Sequence, residues 1–215
     1  MSDLPTLIKN IQRAVGEKAD GIFGPITAAA VWRALNHDAE PVMDPATVFG
    51  IDERSAGNLA TLDTKAQPLF SQFLRQAKAT AATFGCDYIL IGGDRTWDEQ
   101  DALYAQPHDG RDNDGDGRID EADEKVTNAK GGQSNHNFKI AGDFGVFRGK
   151  AYLDATDPQL AAKVHAACSL QAMPCGLEWG GSWKTFKDTP HYEVATGLTL
   201  AQKRDRFERT GSVLS

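Results

Sequence analysis

The chain has 215 residues, of which 40% are hydrophobic and 25% charged, as in an ordinary folded protein. This length holds one domain of usual size and a small appendage. The formal net charge of -7 argues against binding to nucleic acid or to anionic membranes.

Residues 1–37 are predicted to form a small helical unit. Leu7, Ile8, Ile11 and Val15 repeat at helical spacing, and a second helix follows a Gly-rich turn. The turn, Asp20-Gly-Ile-Phe-Gly-Pro-Ile-Thr27, resembles the core of the peptidoglycan-binding repeat, Asp-Gly-x-Phe-Gly-x-x-Thr. The resemblance implies wall binding, whereas the alternative is an ordinary helical hairpin. The implied wall-binding residues are Asp20, Gly21, Phe23, Gly24 and Thr27.

Residues 38–53 have no clear period and are predicted to be a linker. Residues 54–215 alternate between helices and a few strands. Apolar residues from Leu69 to Ala81 predict an amphipathic helix, Asp87–Ile91 a buried strand, and residues 98–104 another helix. Further elements are a strand at 139–147, a helix at 157–172, a closing strand region and a last short helix. This order predicts an α+β domain with a small antiparallel sheet and flanking helices, preceded by the short helical unit.

The three cysteines do not suggest a disulfide framework. Reduced, buried thiols are expected, although Cys168 and Cys175 would be able to pair in an oxidising compartment. The N-terminus lacks the features of a signal peptide, and no apolar run approaches the roughly 20 residues of a membrane span. We therefore expect synthesis in the cytoplasm and no membrane anchor.

Two segments about fifty residues apart offer metal ligands. The first, Ser134-Asn-His136, is followed by Asp143, and the second runs from Asp188 to His191. Two imidazoles and a carboxylate favour Zn²⁺ over Mg²⁺ or Ca²⁺ and leave a fourth position open, as catalytic sites require. Asp188 lies three residues before His191, where a general base is needed, although Asp is also common in a turn before Thr-Pro. The predicted zinc ligands are His136, Asp143 and His191.

Residues 112–123 match the calcium loop of an EF-hand. Carboxylates occupy positions one, three, five, nine and twelve, with Gly117 at position six and the Arg118 backbone carbonyl available at position seven. Asp123 stands where Glu normally gives bidentate reach. The alternative is a solvated acidic loop, in which the carboxylates would repel one another without a cation. The predicted Ca²⁺ ligands are Asp112, Asp114, Asp116, Arg118, Asp120 and Asp123.

The two ligand segments resemble zinc peptidases of the D-alanyl-D-alanine carboxypeptidase / VanY type, which carry Ser-x-His, an Asp seven residues later and a downstream Glu/Asp-x-x-His. The resemblance covers about residues 54–194 and is closest to the L-alanyl-D-glutamate endopeptidases of phages. Residues 109–124 then stand out as an insertion. Two departures are Lys139, where the family usually has Gly, and Gly142, which replaces a larger residue.

The resemblance also implies roles for residues outside the ligand set. Arg95, after the first strand, corresponds to the family's Arg that binds the scissile carbonyl oxygen; the alternative is a surface salt bridge to Glu99 or Asp98. Ser134 corresponds to the Ser that helps hold the substrate or the ligand shell. Three residues are expected to line the cleft, although packing explains either tryptophan equally well: Glu178, Trp179 and Trp183.

The resulting hypothesis is a bacteriolytic zinc endopeptidase, a phage endolysin, with calcium regulation. We expect it to be a monomer made in the host cytoplasm and released by a separate holin-type protein to act on bacterial peptidoglycan in the periplasm. A rival is a D-alanyl-D-alanine carboxypeptidase acting on the same stem peptides. A rival of another class is a non-catalytic wall-binding or calcium-sensing protein, which the complete set of predicted site residues disfavours.

Overall fold

The structure is a computed structural model that describes residues 4–14 and 51–214. Helix α1 (Leu4–Ala14) confirms the first predicted helix. The second helix of the N-terminal unit and nearly all of the linker lie outside the described residues. The same holds for the predicted wall-binding residues Asp20, Gly21, Phe23, Gly24 and Thr27.

Helices and short strands alternate through the rest of the chain. The further helices are α2 (Glu53–Ala60), α3 (Gln67–Ala82), α4 (Trp97–Ala105), α5 (Leu153–Thr156), α6 (Pro158–Ser169) and α7 (Leu200–Thr210). The strands are β1 (Asp87–Gly92), β2 (Ala141–Arg148), β3 (Ala151–Tyr152), β4 (Leu177–Trp179) and β5 (His191–Val194). Short 3-10 turns lie at Gln106–His108, Ala122–Glu124, Asn135–Phe138, Met173–Cys175 and Gly180–Ser182.

The strands form one antiparallel sheet in the order β1-β2-β5-β4, with β3 paired to the end of β2. The predicted α+β class with a small antiparallel sheet is therefore confirmed. In the register of β2 with β5, Asp143 lies directly opposite His191. Gly92, at the end of β1, is the partner of Asp143 on the other side. The sheet register thus brings two predicted ligands together.

Alternation along the strands separates the core from the site. In β2 and β5, Phe144 and Tyr192 are fully buried and pack against Phe73 of α3, with ring centroids 5.2 and 4.5 Å away. Successive strand residues point to opposite faces, so Asp143 and His191 lie on the face that the core does not cover. The aromatic cluster therefore fixes the strands whose opposite face carries the ligands.

The two residues that depart from the family pattern differ in how well they fit their positions. Lys139 ends the Asn135–Phe138 turn with a φ of 60°, a left-handed conformation that suits Gly and costs other residues about 1–2 kcal/mol. Gly142 faces the core, where an added Cβ would lie 2.8 Å from Leu90 Cδ1 and 3.3 Å from Phe70 Cε1. Lys139 is therefore strained, whereas Gly142 fits a space with no room for a larger side chain.

Some local features follow the sequence and others do not. All three cysteines are free and buried, as expected. Helix α2 was not predicted, because its sequence has a weak apolar period and contains Gly57; the Asp52 carboxylate caps it by accepting a hydrogen bond from Ser55 N at 2.9 Å. Within the ranges that the structure describes, no helix is long and apolar enough to cross a membrane.

Candidate active site

Three separate elements carry the predicted metal ligands. His136 lies in the Asn135–Phe138 turn, whose first residues are fixed because Ser134 Oγ accepts a hydrogen bond from His136 N at 3.3 Å. Asp143 lies in β2, and His191 begins β5. The turn precedes β2 by only two residues, and the register pairs β2 with β5. The fold therefore brings all three predicted ligands together.

The three candidate ligand atoms form a nearly equilateral triangle. His136 Nε2 lies 3.2 Å from His191 Nδ1 and 3.3 Å from Asp143 Oδ1, and the last two atoms are 3.2 Å apart. Tetrahedral zinc with ligand distances of about 2.0–2.1 Å holds its ligand atoms about 3.3–3.4 Å from one another. The triangle, and the donor set of two nitrogens and one oxygen, therefore fit Zn²⁺ with a fourth position left for substrate.

Each histidine has a hydrogen-bond partner that orients its ring. His136 Nδ1 lies 2.7 Å from Gly93 O, so it carries the proton and leaves Nε2 as the ligand atom. His191 Nε2 lies 3.1 Å from Glu193 Oε2, which leaves Nδ1 as the ligand atom. Partners of this kind fix the tautomer and orientation of metal-binding histidines. The contact of Glu193 with His191 was missed by the sequence analysis.

The pKa values of His191 and Asp143 reflect this close packing. Burial lowers the pKa of His191, but hydrogen bonds to Asp143 and Glu193 outweigh burial and raise it to about 9. Burial raises the pKa of Asp143, but His136 and His191 outweigh it and hold that pKa well below its usual range. The Asp143 carboxyl group is therefore stabilised as an anion, the form that a metal ligand requires.

Asp188 lines the same cleft as the three ligands. Its backbone N donates to Gly180 O at 3.2 Å, and its carbonyl accepts from His191 N at 3.3 Å. Burial, followed by the nearby charge of Asp143, raises the pKa of the Asp188 carboxyl. A carboxylate with a raised pKa beside a metal site has the character of a general base.

Arg95 also reaches the site. Its Nη2 lies 3.7 Å from Asp143 Oδ2, and its Nη1 donates to Gln100 Oε1 at 2.9 Å. Gln100 is fully buried and donates from Nε2 to Thr127 Oγ1 and Ala129 O, at 3.1 and 2.8 Å. Arg95 therefore faces the ligands rather than forming the surface salt bridge considered as its alternative, and Gln100 is a contact that the sequence analysis missed.

The ligands open into a cleft of about 380 Å³. Ser134 and Trp183 line it as expected, with exposed Val126 and Phe186 at its walls. Glu178 and Trp179, which were expected in this cleft, do not line it; together with Trp183 they line a second cavity of about 360 Å³. Trp183 is common to both cavities. The indole nitrogen of Trp179 donates to Thr189 O at 2.8 Å, so this ring also stabilises the segment that leads to His191.

The structure brings together three of the carboxylates of the predicted calcium loop. Asp112, Asp114 and Asp116 each offer an oxygen within 4.8 Å of the others. The two oxygens of Asp112 accept hydrogen bonds from Gly115 N and Gly117 N, at 2.7 and 2.9 Å.

Other acidic residues of the loop lie differently. Asp120 accepts from Gly110 N at 2.7 Å, and neither Asp120 nor Asp123 belongs to the group of three. Glu124 is buried and accepts from Asn113 N and Glu121 N, at 2.7 and 3.0 Å. Glu121 Oε2 is shielded from solvent and has no hydrogen-bond partner.

The other histidines in the described part of the chain do not join the site. His165 is fully buried, with Asp154 Oδ1 2.7 Å from its Nε2 and Tyr88 OH 2.7 Å from its Nδ1. His108 is exposed, and His37 lies outside the described residues. His165 is thus a satisfied core residue.

Comparison with known proteins follows the same residues. A family model described as D-alanyl-D-alanine carboxypeptidase matches residues 127–194, which include the three candidate ligands and Asp188. The peptidoglycan L-alanyl-D-glutamate endopeptidase CwlK of Bacillus subtilis (strain 168) is 37% identical over 131 residues, or 59% of this chain and 72% of that protein.

Two solved structures are also similar. The L-Ala D-Glu endopeptidase ChiX of Serratia marcescens is 22% identical, with a TM-score of 0.40 over 66% of this chain and 86% of its own. A mutant of the vancomycin resistance D,D-pentapeptidase VanY, in complex with Zn(II), is 14% identical, with a TM-score of 0.42 over 70% of this chain and 80% of its own.

Proposed function

The chain belongs to the D-alanyl-D-alanine carboxypeptidase / VanY-type family of zinc peptidases, and from that membership we propose that it hydrolyses the L-alanyl-D-glutamate bond of peptidoglycan stem peptides. The observation that carries the proposal is the triangle of His136 Nε2, Asp143 Oδ1 and His191 Nδ1, with sides of 3.2–3.3 Å. The choice of bond is supported by the relative that is 37% identical, whose name specifies that activity.

The residues around the triangle have complementary tasks. Zinc held by the three ligands would act as a Lewis acid and lower the pKa of the attacking water towards about 7. Asp188 would accept the proton of that water and pass it to the leaving amine. Arg95, fixed by Gln100, would stabilise the negative charge that develops on the scissile carbonyl oxygen. A guanidinium suits this role because its charge is delocalised and its N–H donors form a planar fork.

The two cavities that share Trp183 as a lining residue would hold the stem peptide. Ser134 borders the cleft that contains the ligands, where it would contact the substrate or support the ligand shell. Glu178 and Trp179 border the second cavity, where they would contact the part of the peptide farther from the scissile bond. A carboxylate in that cavity would attract an amine of the substrate.

We further propose that the protein is an endolysin. Asp20, Gly21, Phe23, Gly24 and Thr27 would bind the wall and raise the local concentration of stem peptides. A monomer made in the host cytoplasm would reach the peptidoglycan after a holin-type protein opens the membrane. Lysis of cells from outside, with and without residues 1–37, would test the contribution of the N-terminal unit.

Calcium is proposed to regulate this activity through the loop at 109–124. Three clustered carboxylates at Asp112, Asp114 and Asp116, and the shielded, unpaired oxygen of Glu121, would be neutralised by a divalent cation. Arg118 O, Asp120 and Asp123 would complete the ligand set after a local rearrangement.

The path from this loop to the catalytic residues is short. After the loop, Thr127 and Ala129 line the cleft and accept hydrogen bonds from Gln100, which in turn holds Arg95. Ordering of the loop by calcium would therefore fix the segment that positions Arg95, an order–disorder switch of a recognised kind.

Digestion of purified muropeptides, followed by mass spectrometry, tests the proposed bond. The proposal predicts products with a new N-terminal D-glutamate. Release of free D-alanine instead would identify the rival D-alanyl-D-alanine carboxypeptidase, the activity after which the matched family model is described. Unchanged muropeptides after treatment with the zinc-loaded chain would favour the non-catalytic rival.

A further inference from the structure

A buried ion pair lies next to His191. Glu193 Oε2 is 3.1 Å from His191 Nε2, and the other carboxylate oxygen, Oε1, is 3.6 Å from Lys203 Nζ. The side chains of Glu193 and Lys203 are only 11% and 9% exposed. Both oxygens of the carboxylate are therefore in use, one towards a metal ligand and one towards an ammonium group.

Lys203 also contacts the segment of the second histidine ligand. Its Nζ donates to Asn135 Oδ1 at 3.1 Å, and Asn135 directly precedes His136. One ammonium group thus lies between the two segments that carry the imidazole ligands. The two histidines are 55 positions apart in sequence. The pairing of β2 with β5, in which Ala141 lies opposite Glu193, brings their segments together.

The neighbouring residue of α7 holds the same region. Arg204 donates from Nε and Nη2 to Gly132 O, at 3.0 and 2.6 Å. The start of α7 is itself fixed by a capping box between Thr199 and Gln202. Helix α7 therefore contacts both the loop before His136, through Arg204, and Glu193, through Lys203.

Stability alone is a poor reason for this arrangement. Removing two charges from water is costly, and a buried ion pair is often no more stabilising than apolar residues of similar size. A carboxylate that accepts the second N–H of a metal-binding histidine, by contrast, fixes its tautomer and raises its basicity. The position of Glu193 matches that second role.

We propose that Glu193 and Lys203 are positioning residues for the metal centre. Glu193 holds the His191 ring with Nδ1 towards the metal, and Lys203 holds the Glu193 carboxylate while fixing Asn135 beside His136. The inference rests on the proposed function, because it assumes that a metal binds to the three ligands.

The test is zinc affinity, measured by competition with a chromophoric chelator, and the visible absorption spectrum of the Co²⁺-substituted protein. Glu193→Gln keeps the size of the side chain but removes its charge, and should weaken zinc binding about 10–100-fold. Lys203→Met should weaken it about 10-fold, and both should shift the cobalt spectrum. Because Lys203 acts in part through Glu193, the loss of zinc affinity in the double variant should be smaller than the product of the two single losses.

Arg209→Met is the matched control. Arg209 belongs to the same helix and forms an ion pair of 2.7 Å with Asp205, but both side chains are about two-thirds exposed. This variant should leave zinc affinity and the cobalt spectrum unchanged. Circular dichroism of the metal-free proteins establishes that each variant is folded, and Glu193→Gln carries the test by itself if Lys203→Met does not fold.

The outcomes separate the two proposals. If the parent chain bound no zinc, that result would contradict the proposed function. A parent chain that binds zinc, with Glu193→Gln and Lys203→Met equal to it in affinity and cobalt spectrum, would overturn the positioning role alone. Equal losses in Arg209→Met would also overturn it, because the effect would then come from the helix in general.

Discussion

Replacing Gly142 by Ala should destabilise the protein, although Ala is normally the better residue in a strand. Its Cβ would lie 2.8 Å from Leu90 Cδ1, 3.3 Å from Phe70 Cε1 and 3.3 Å from Gly92 O. Leu90 and Phe70 are fully buried, so neither can move into open space. Overpacking of this kind costs about 1–3 kcal/mol, whereas removing a strand Gly gains about 0.5–1 kcal/mol.

The net expectation is a loss of about 1–2 kcal/mol in the free energy of unfolding, or roughly 2–8 °C in Tm for a chain of this size. Gly57→Ala is the matched control, because an added Cβ there would meet nothing within 4 Å and Gly57 lies inside helix α2. At that position the same substitution should raise the free energy of unfolding by about 0.5–1 kcal/mol.

Differential scanning calorimetry of the metal-free proteins measures both effects. Leu90→Val removes the nearest methyl group and should recover part of the loss when combined with Gly142→Ala. Since Gly142 directly precedes the proposed ligand Asp143, Gly142→Ala should also weaken zinc binding, whereas Gly57→Ala should not. An unchanged or raised Tm in Gly142→Ala would refute the claim that this position has no room.

Three further predictions concern the chemistry of the site. Asp188→Asn and Arg95→Met should leave zinc bound but lower kcat on muropeptides about 10²–10⁴-fold; near-parental turnover in either variant would remove that residue's role. Because the pKa of His191 is about 9, this ring should release close to one proton when zinc binds at pH 7.5. It should release none above about pH 10, where only the metal-bound water still contributes a proton. Calorimetry in buffers of different ionisation enthalpy measures this release, and its absence at pH 7.5 would contradict the pKa. Lysis of permeabilised cells at constant zinc should rise with added Ca²⁺ and should lose that response in Asp112→Ala, whereas calcium-independent lysis by the parent would leave at most a structural ion.

The raised pKa of His191 also links stability to pH in the metal-free protein. Its value in the fold, about 9, exceeds the ordinary value of 6.5. The protonated ring therefore contributes stability that is fully present below about pH 6.5 and is lost as pH rises through about 9. Zinc binding reverses this preference, because it requires the neutral ring.

The sequence was sufficient for features set by local pattern. The apolar period between Leu69 and Ala81 predicts α3, and the strand that carries Asp143 is predicted within two residues of its observed bounds. The spacing of His136, Asp143 and His191 predicts a ligand set that the structure brings together. These features depend on side-chain periodicity and on chemically distinctive residues, and both can be read from a single chain.

Features that depend on long-range contacts could not be predicted. Lys203 reaches Asn135 across 68 positions, and Gln100 reaches Ala129 across 29. Neither residue type is distinctive, and each acquires its role only when the fold buries it beside a particular partner. Glu193 could have been found from its position two residues after His191, because alternate residues of a strand share a face.

Zinc content and activity, measured on the same samples, test the central claim most directly. The parent chain should contain one zinc per molecule, lose muropeptide hydrolysis when a chelator removes the metal, and regain it with one equivalent of zinc. His136→Ala should retain neither zinc nor hydrolysis, because two protein ligands rarely hold a catalytic zinc. Full hydrolysis by the chelated parent, or by His136→Ala with zinc still bound, would contradict the assignment of this triangle as the catalytic metal site.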